Sequence, residues 1–269
     1  MVEPVTTLGL GAVFAYLGKD GLQKLLGPTA EYLGGGMRDF VKNRIENINN
    51  IFENAAKKLG SKIEEPGQVP PRVLKSIIDE GSYCDNKIAA EYFGGVLASS
   101  RTENGRDDRG ARISRTIERL SIYQLRTHFI IYSNIKKMFA GKGISMNNEG
   151  RSKMQIFIPF IEYFSAMDFS NEEKLKLPSI LPHCFFGLGS ENLIEPTFYQ
   201  YGLKASLSKY FAAVPSDGIL CQPSAIGVEL FLWAFGQANQ PLDFIFSDTF
   251  LPIIEGVPTF LPNVLPVNQ

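Results

Sequence analysis

The chain is poor in the side chains that most often carry chemistry: its 269 residues hold two histidines and three cysteines. Cys84, Cys184 and Cys221 are odd in number, far apart and free of any CxxC pair. That excludes a disulfide framework and a cysteine-based zinc site, and reads as a reducing compartment with buried thiols. His183 and Cys184 are neighbours in sequence, and adjacent side chains rarely point at one centre; a buried thiol beside a partly exposed imidazole is the expectation. His128 sits within a helical pattern next to Phe129 and reads as a surface or core-edge residue. No GxSxG, HExxH, P-loop or correctly flanked GxGxxG is present. No catalytic residue, metal or cofactor is therefore expected, and the chain reads as something other than an enzyme.

Charge of one sign is equally scarce. Lys and Arg number 27 against 28 Asp and Glu, a net charge of −1. A dedicated nucleic-acid binder draws its affinity from phosphate neutralisation, so the bulk composition argues against one. Long hydrophobic runs are missing too. Val5–Leu17 extends only 13 residues before Lys19 and Asp20 interrupt it, whereas a span needs ~20. Glu3 stands where a secretion signal would be basic, and no clean cleavage site follows. The expected address is cytoplasmic, with peripheral contact at the inner membrane left open.

What is present begins with an apolar, small-residue segment that leads into an amphipathic helix. Residues 5–37 hold eight glycines, each costing a helix about 1 kcal/mol relative to alanine. Breaks are expected at Lys19-Asp20-Gly21 and at Gly27-Pro28. From Arg38 to Leu59 the apolar residues Val41, Ile45, Ile48, Phe52, Ala55 and Leu59 form one stripe. Lys57 and Lys58 suit the end of that helix and Gly60 its cap. The stripe, through Val41, Ile45, Ile48, Phe52 and Leu59, is a candidate self-association surface. Ahead of it, Phe14, Leu17, Leu22, Leu25 and Leu26 would contact either a protein core or a membrane surface, and only Lys19 and Lys24 could meet anionic lipid.

Residues 61–71 read as a linker closed by Pro70-Pro71. Two helices in a hairpin follow, on Val73, Leu74, Ile77 and Ile78, then on Ile88 through Leu97. Beyond a polar loop at 99–110, Ile113, Ile117 and Leu120 face one way. Ser121 and Gln124 make a capping box for the next helix, with Leu120 and Leu125 as its staple, and Gly141 ends it. In 154–164 the residues are aromatic and β-branched, and Pro159 argues against an uninterrupted helix. Ser170 and Glu173 cap a short helix; Ser179 is placed to cap another through Phe186. A strand is expected in 192–203, and after a polar connector a second strand and a closing helix within 218–236. The tail after Pro241 is rich in proline and phenylalanine and reads as an irregular arm pinned by its aromatics.

One cationic cluster stands out. Arg112, Arg115 and Arg119 lie on one helix face and could grip phosphate or an acidic partner. Residues 101–126 hold seven arginines against four acids, so a solvated, salt-bridged face is the competing reading.

Several stretches resemble one family. GPTAEYLGGGMRDFVKNRIENINNIFENAAKKLG, VPPRVLKSIIDEGSYCDNKIAAEYFGGVLASS and ISRTIERLSIYQLR together are similar to the Abi-alpha (abortive infection alpha) proteins of bacteria. The matching features are Pro28 to Gly34, Pro70 to Val73, Val96 to Ser99 and Ile117 to Ser121, within about residues 25–126. Ile219-Leu220 through Gly227 and Phe231 is similar to the family's ending, although Gln222-Pro223-Ser224 replaces its usual threonine. The resemblance implies antiphage defence by abortive infection, no defined reaction and no transferable catalytic residues.

The resulting expectation is a mainly α chain (α+β overall). Residues 1–60 form the apolar segment and long helix, and 61–145 a helical bundle. Residues 146–240 form a winged-helix-like domain with a small β element, and 241–269 the proline-rich tail. The function expected is a non-enzymatic antiphage effector or sensor, homo-oligomeric, acting through its apolar N-terminal segment at the membrane. The alternative is a winged-helix-like regulatory module that binds nucleic acid or a partner protein, a phage protein included.

Overall fold

The structure is a computed structural model that describes residues 34–209 and 214–267. Phe14, Leu17, Leu22, Leu25 and Leu26 lie outside the described residues. The chain is mainly helical with one small antiparallel sheet, and it divides into two compact units. The first ends at Arg119 and takes in Trp233–Asn239; the second comprises Leu120–Leu232 and Gln240–Gln269.

The first unit is built on α1 (Gly34–Leu59), α2 (Pro71–Gly81), α3 (Lys87–Ser99) and α4 (Gly110–Glu118). The stripe on α1 does bury itself: Ile48, Ile51, Phe52 and Ala55 are in the core. Its neighbour is α3, which is buried over nearly its whole length. Two adjacent glycines make that approach close. A Cβ on Gly94 would stand 2.9 Å from the Ile51 carbonyl oxygen, and one on Gly95 would stand 1.8 Å from that of Ala234. A side chain at either position would hold the neighbouring backbone away. Ser99 Oγ donates to the Trp233 carbonyl at 3.1 Å, and the Arg109 guanidinium lies 5.5 Å from the Trp233 ring centre.

The polar side of α1 is used as well. Arg44 donates twice to Ser82 Oγ, at 3.1 and 2.7 Å, and Asn47 donates to the Ser82 carbonyl. The segment read as a linker is held rather than loose. It opens with a 3₁₀ turn, Gly60–Glu64. The Arg101 guanidinium donates to the carbonyls of Lys62, Ile63 and Glu65, and Gln68 bridges Thr102.

The second unit surrounds α5 (Ile122–Phe139). Ser121 and Gln124 form the capping box in full, and the helix stops before Gly141. After α6 (Asn148–Ser152) come β1 (Ile156–Pro159), α7 (Phe160–Met167), α8 (Asn171–Leu175) and α9 (Leu177–Ser190). Then follow β2 (Ile194–Gly202), α10 (Lys204–Leu207), β3 (Gly218–Pro223) and α11 (Ala225–Ala234). The chain ends with a 3₁₀ turn at Leu242–Phe246 and a two-residue strand, β4 (Leu265–Pro266). The sheet order is β2-β3-β1-β4 and every pair is antiparallel. β1 and β3 are wholly buried, as their continuous apolar runs require.

Three sequence expectations shift here. Helix α5 groups with the sheet, not with the preceding helices, because its buried side chains meet residues 163–167, 224–231 and the tail. Helix α9 starts at Leu177, with Pro178 in its first turn, and Ser179 does not cap it; the Ser179 hydroxyl donates to the Lys176 carbonyl. His128, expected at the surface or core edge, is completely buried.

Helix α5 is buried on all sides yet carries several polar groups, and partners satisfy most of them. Thr127 Oγ1 lies 2.7 Å from Tyr163 Oη, and His128 Nε2 lies 3.0 Å from the Gly227 carbonyl oxygen. Tyr132 Oη donates to the Leu193 carbonyl at 2.6 Å and accepts from Ser224 N–H. Asn134 accepts from Leu261 N–H, and Arg126 donates to the Gly256 carbonyl, so α5 holds the tail through polar contacts as well as through Phe250, which packs edge-on against Phe231. Of the side-chain atoms here, Ser133 Oγ is buried without a hydrogen bond.

Burial holds His128 neutral: desolvation lowers its pKa from 6.5 to about 3, against a smaller raising effect of the Gly227 carbonyl. The unfolded chain therefore binds a proton that the folded chain refuses. Stability is full above pH 6.5 and falls as the pH drops from 6.5 towards about 3. The slope within that window is about 1.4 kcal/mol per pH unit from this residue. His128→Gln can still donate to the Gly227 carbonyl but does not titrate, so its urea midpoint should fall less steeply with acid. Identical slopes in the two proteins would show that His128 does not carry this linkage.

Candidate functional site

Helix α9, LPSILPHCFFGLGS, presents two opposed faces. Ile180, Leu181, Cys184, Phe185 and Leu188 are buried, while Ser179, His183, Phe186 and Ser190 are exposed. The exposed positions recur at spacings of four, three and four, one stripe along the helix. None of the helix's residues is Lys, Arg, Asp or Glu. Pro182 inside the helix removes one backbone donor, which leaves the Pro178 carbonyl without its usual partner.

Phe186 is 57% exposed, a large apolar side chain facing outward. It lies edge-on to Tyr199 of β2 at 6.4 Å and beside Tyr201 at 6.4 Å. Beneath it Phe185 stacks on Tyr201 at 5.4 Å. Strand β2 is an edge strand, and its register against β3 shifts between Ile194 and Tyr199. The result is a half-exposed aromatic cluster supplied by one helix and one sheet edge.

At the other end of the stripe His183 meets the start of α5. Its Nε2 lies 2.8 Å from Ser121 Oγ. Gln124 holds both residues: its Oε1 accepts from Ser121 N–H at 2.8 Å, and its Nε2 donates to the His183 carbonyl at 2.9 Å. Gly187 leaves the room for this, since a Cβ there would fall 1.7 Å from Gln124 Nε2. Next to the pair, Tyr123 Oη donates to the Glu173 carboxylate. That bond holds Glu173 below its ordinary pKa and raises that of Tyr123.

The thiols take no part in such chemistry. Burial pushes Cys221 up to about 12 and Cys84 up to about 11, and raises Cys184. All three are free and stay protonated near neutral pH. Cys184 is buried and His183 exposed, so the adjacent pair does point in different directions.

The residues singled out from sequence fall elsewhere. Arg112, Arg115 and Arg119 are exposed on α4 and at its C-terminal cap, in the first unit. Ile48 and Phe52 are buried against their own unit, Ile45 and Leu59 are half-buried, and Val41 lies in α1. Burial of Ile48 and Phe52 is thus accounted for within one chain. Among the described residues no three His, Cys, Asp or Glu side chains gather where they could hold a metal ion. No described helix is long and apolar enough to cross a membrane. Sequence reading passed over the Ser121–His183 pair because the two are 62 positions apart. Locally, Ser121 reads as half of a capping box and His183 as the neighbour of Cys184.

Comparison with protein-family models, curated proteins and solved structures finds no match for this chain.

Gly187→Ala should force the Gln124 carboxamide out of place and cost about 1–3 kcal/mol, the usual penalty of overpacking. Paired with Gln124→Ala, which makes room, the two changes should be far from additive. Thermal denaturation of the single and double variants measures the coupling, and strict additivity would show that the two residues do not meet.

Proposed function

We propose that the second unit is a winged-helix-like binding module that uses α9 as its contact helix and takes a protein partner. What supports the reading is the order α5, α6, β1, α7 to α9, β2, α10, β3, with β3 paired to both β2 and β1. In such a module the helix before the β-hairpin is the one that meets the partner. The observation that carries the reading is the stripe itself: it holds no Lys, Arg, Asp or Glu and carries an exposed Phe186 beside Tyr199 and Tyr201. Nucleic-acid affinity depends on Lys and Arg facing phosphate, whereas aromatics without charge are characteristic of a protein interface core. A photo-crosslinking residue at position 186 should capture one defined protein in cells, and Tyr199→Ala should weaken that capture severalfold. Salt-dependent binding of duplex DNA, lost on changing Ser179 and His183, would instead assign α9 to nucleic acid.

The abortive-infection reading is a second proposal. It rests on the resemblance and gains one support: residues 25–126, which carry that resemblance, end within a few residues of the first unit's boundary at Arg119. Under this reading the chain acts in antiphage defence as an effector or sensor, and its apolar N-terminal segment delivers the effect. A plaque assay on cells that produce the full chain should show protection, lost when residues 1–33 are removed. Undiminished protection by the shortened chain would rule out that role for the segment.

A further inference from the structure

We propose that Ser121 and His183 form a nucleophile–base pair able to cleave small carboxylic esters, an activity separate from the binding role of α9. The reading starts from geometry. Ser121 Oγ and His183 Nε2 are 2.8 Å apart, the separation at which an imidazole takes the proton of an attacking hydroxyl. Both residues are reachable from solvent, His183 exposed and Ser121 half-exposed. The single carboxamide of Gln124 bonds the backbone of each and so ties the two backbones together.

The position of Ser121 supplies a second element. It precedes α5 with an extended backbone, φ −68° and ψ 162°, and its hydroxyl sits over the helix start. The amide N–H groups at the start of a helix have no partner within it, and Ser121 Oγ engages only that of Gln124, at 3.3 Å. The N–H groups of Ile122 and Tyr123 are left to receive a developing oxyanion beside the nucleophile, aided by the positive end of the helix. A third element is Phe186, three residues beyond His183 on the same stripe. With Tyr199 and Tyr201 it offers an apolar surface for the acyl or alcohol portion of an ester.

The reaction balances without a cofactor. Ser121 Oγ bonds to the ester carbonyl carbon while its proton passes to His183 Nε2. Collapse of the tetrahedral intermediate breaks the bond to the alcohol oxygen, which leaves with the proton from His183. Water, deprotonated by His183, then attacks the acyl-serine and releases the carboxylic acid, and the proton returns to Ser121. His183 makes no ion pair with a carboxylate among the described residues. The pair therefore lacks the third member that orients the imidazole in a triad, and turnover is expected to be slow beside that of triad enzymes.

The test is labelling of the full chain with a fluorophosphonate probe, located by peptide mapping, together with hydrolysis of p-nitrophenyl butyrate. A single adduct on Ser121 is expected. Ser121→Asn, which keeps a good helix cap, should abolish labelling and hydrolysis while melting as the parent does. His183→Gln should slow labelling at least tenfold. No adduct, an adduct at another residue, or a parental labelling rate in His183→Gln would overturn the assignment. Such a failure leaves the crosslinking test of α9 untouched.

Discussion

A buried carboxamide needs partners for both its oxygen and its nitrogen, and Gln124 finds one for each on two different elements. Its oxygen closes the cap of α5 and its nitrogen reaches the carbonyl of His183 on α9. Leaving such a group unpaired costs about 1–3 kcal/mol, so the start of α5 and the middle of α9 are tied in one arrangement. Gly187 is part of the same constraint, since any side chain there would occupy the space of the amide nitrogen. This joint adds a polar tie to the apolar packing of Phe185 against Tyr163 and Tyr201 that also holds α9.

The rest of the second unit repeats the pattern on a larger scale. Helix α5 is buried all round, which would ordinarily demand an entirely apolar sequence. It instead carries Thr127, His128, Tyr132 and Asn134, each bonded to a different element. These bonds fix which turn of α5 meets Tyr163, Gly227, Leu193 and Leu261, something apolar packing alone specifies less sharply. The first unit solves its packing in another way. There Gly94 and Gly95 let α3 touch backbone on two sides, and the glycines give closeness where α5 uses hydrogen bonds.

The aromatic cluster and the Ser121–His183 pair meet along α9 because that helix contributes both Phe186 and His183 to its exposed stripe. The features that suit the face to a partner, absence of charge and exposed aromatic rings, are those that would hold an apolar ester beside a serine hydroxyl. The arginines of α4 belong to the chain's other unit.

Local chemistry was legible in the residues themselves. The Ser121 and Ser170 capping boxes, the stop before Gly141 and the apolar stripe of α1 all depend on neighbours within a turn or two, and each is present. What depended on long-range pairing was not legible. Periodicity shows that α1 needs a partner but not that Gly94 of α3 provides it. Nothing near Arg101 shows that its guanidinium pins residues 62–65. Ser179 has the right residue type for a cap, yet Pro178, already suited to a first helical turn, moves the start of α9 to Leu177. His128 carries no local sign of burial, because burial follows from the closing helix and tail that fold over it. The sequence by itself determined most of the helices, the Ser121 and Ser170 caps and the apolar stripe of α1, since these arise from contacts within a few residues. Only the tertiary structure decided that Gln124 reaches α9 and that Ser121 faces His183, because those contacts need loop closures that no local pattern encodes.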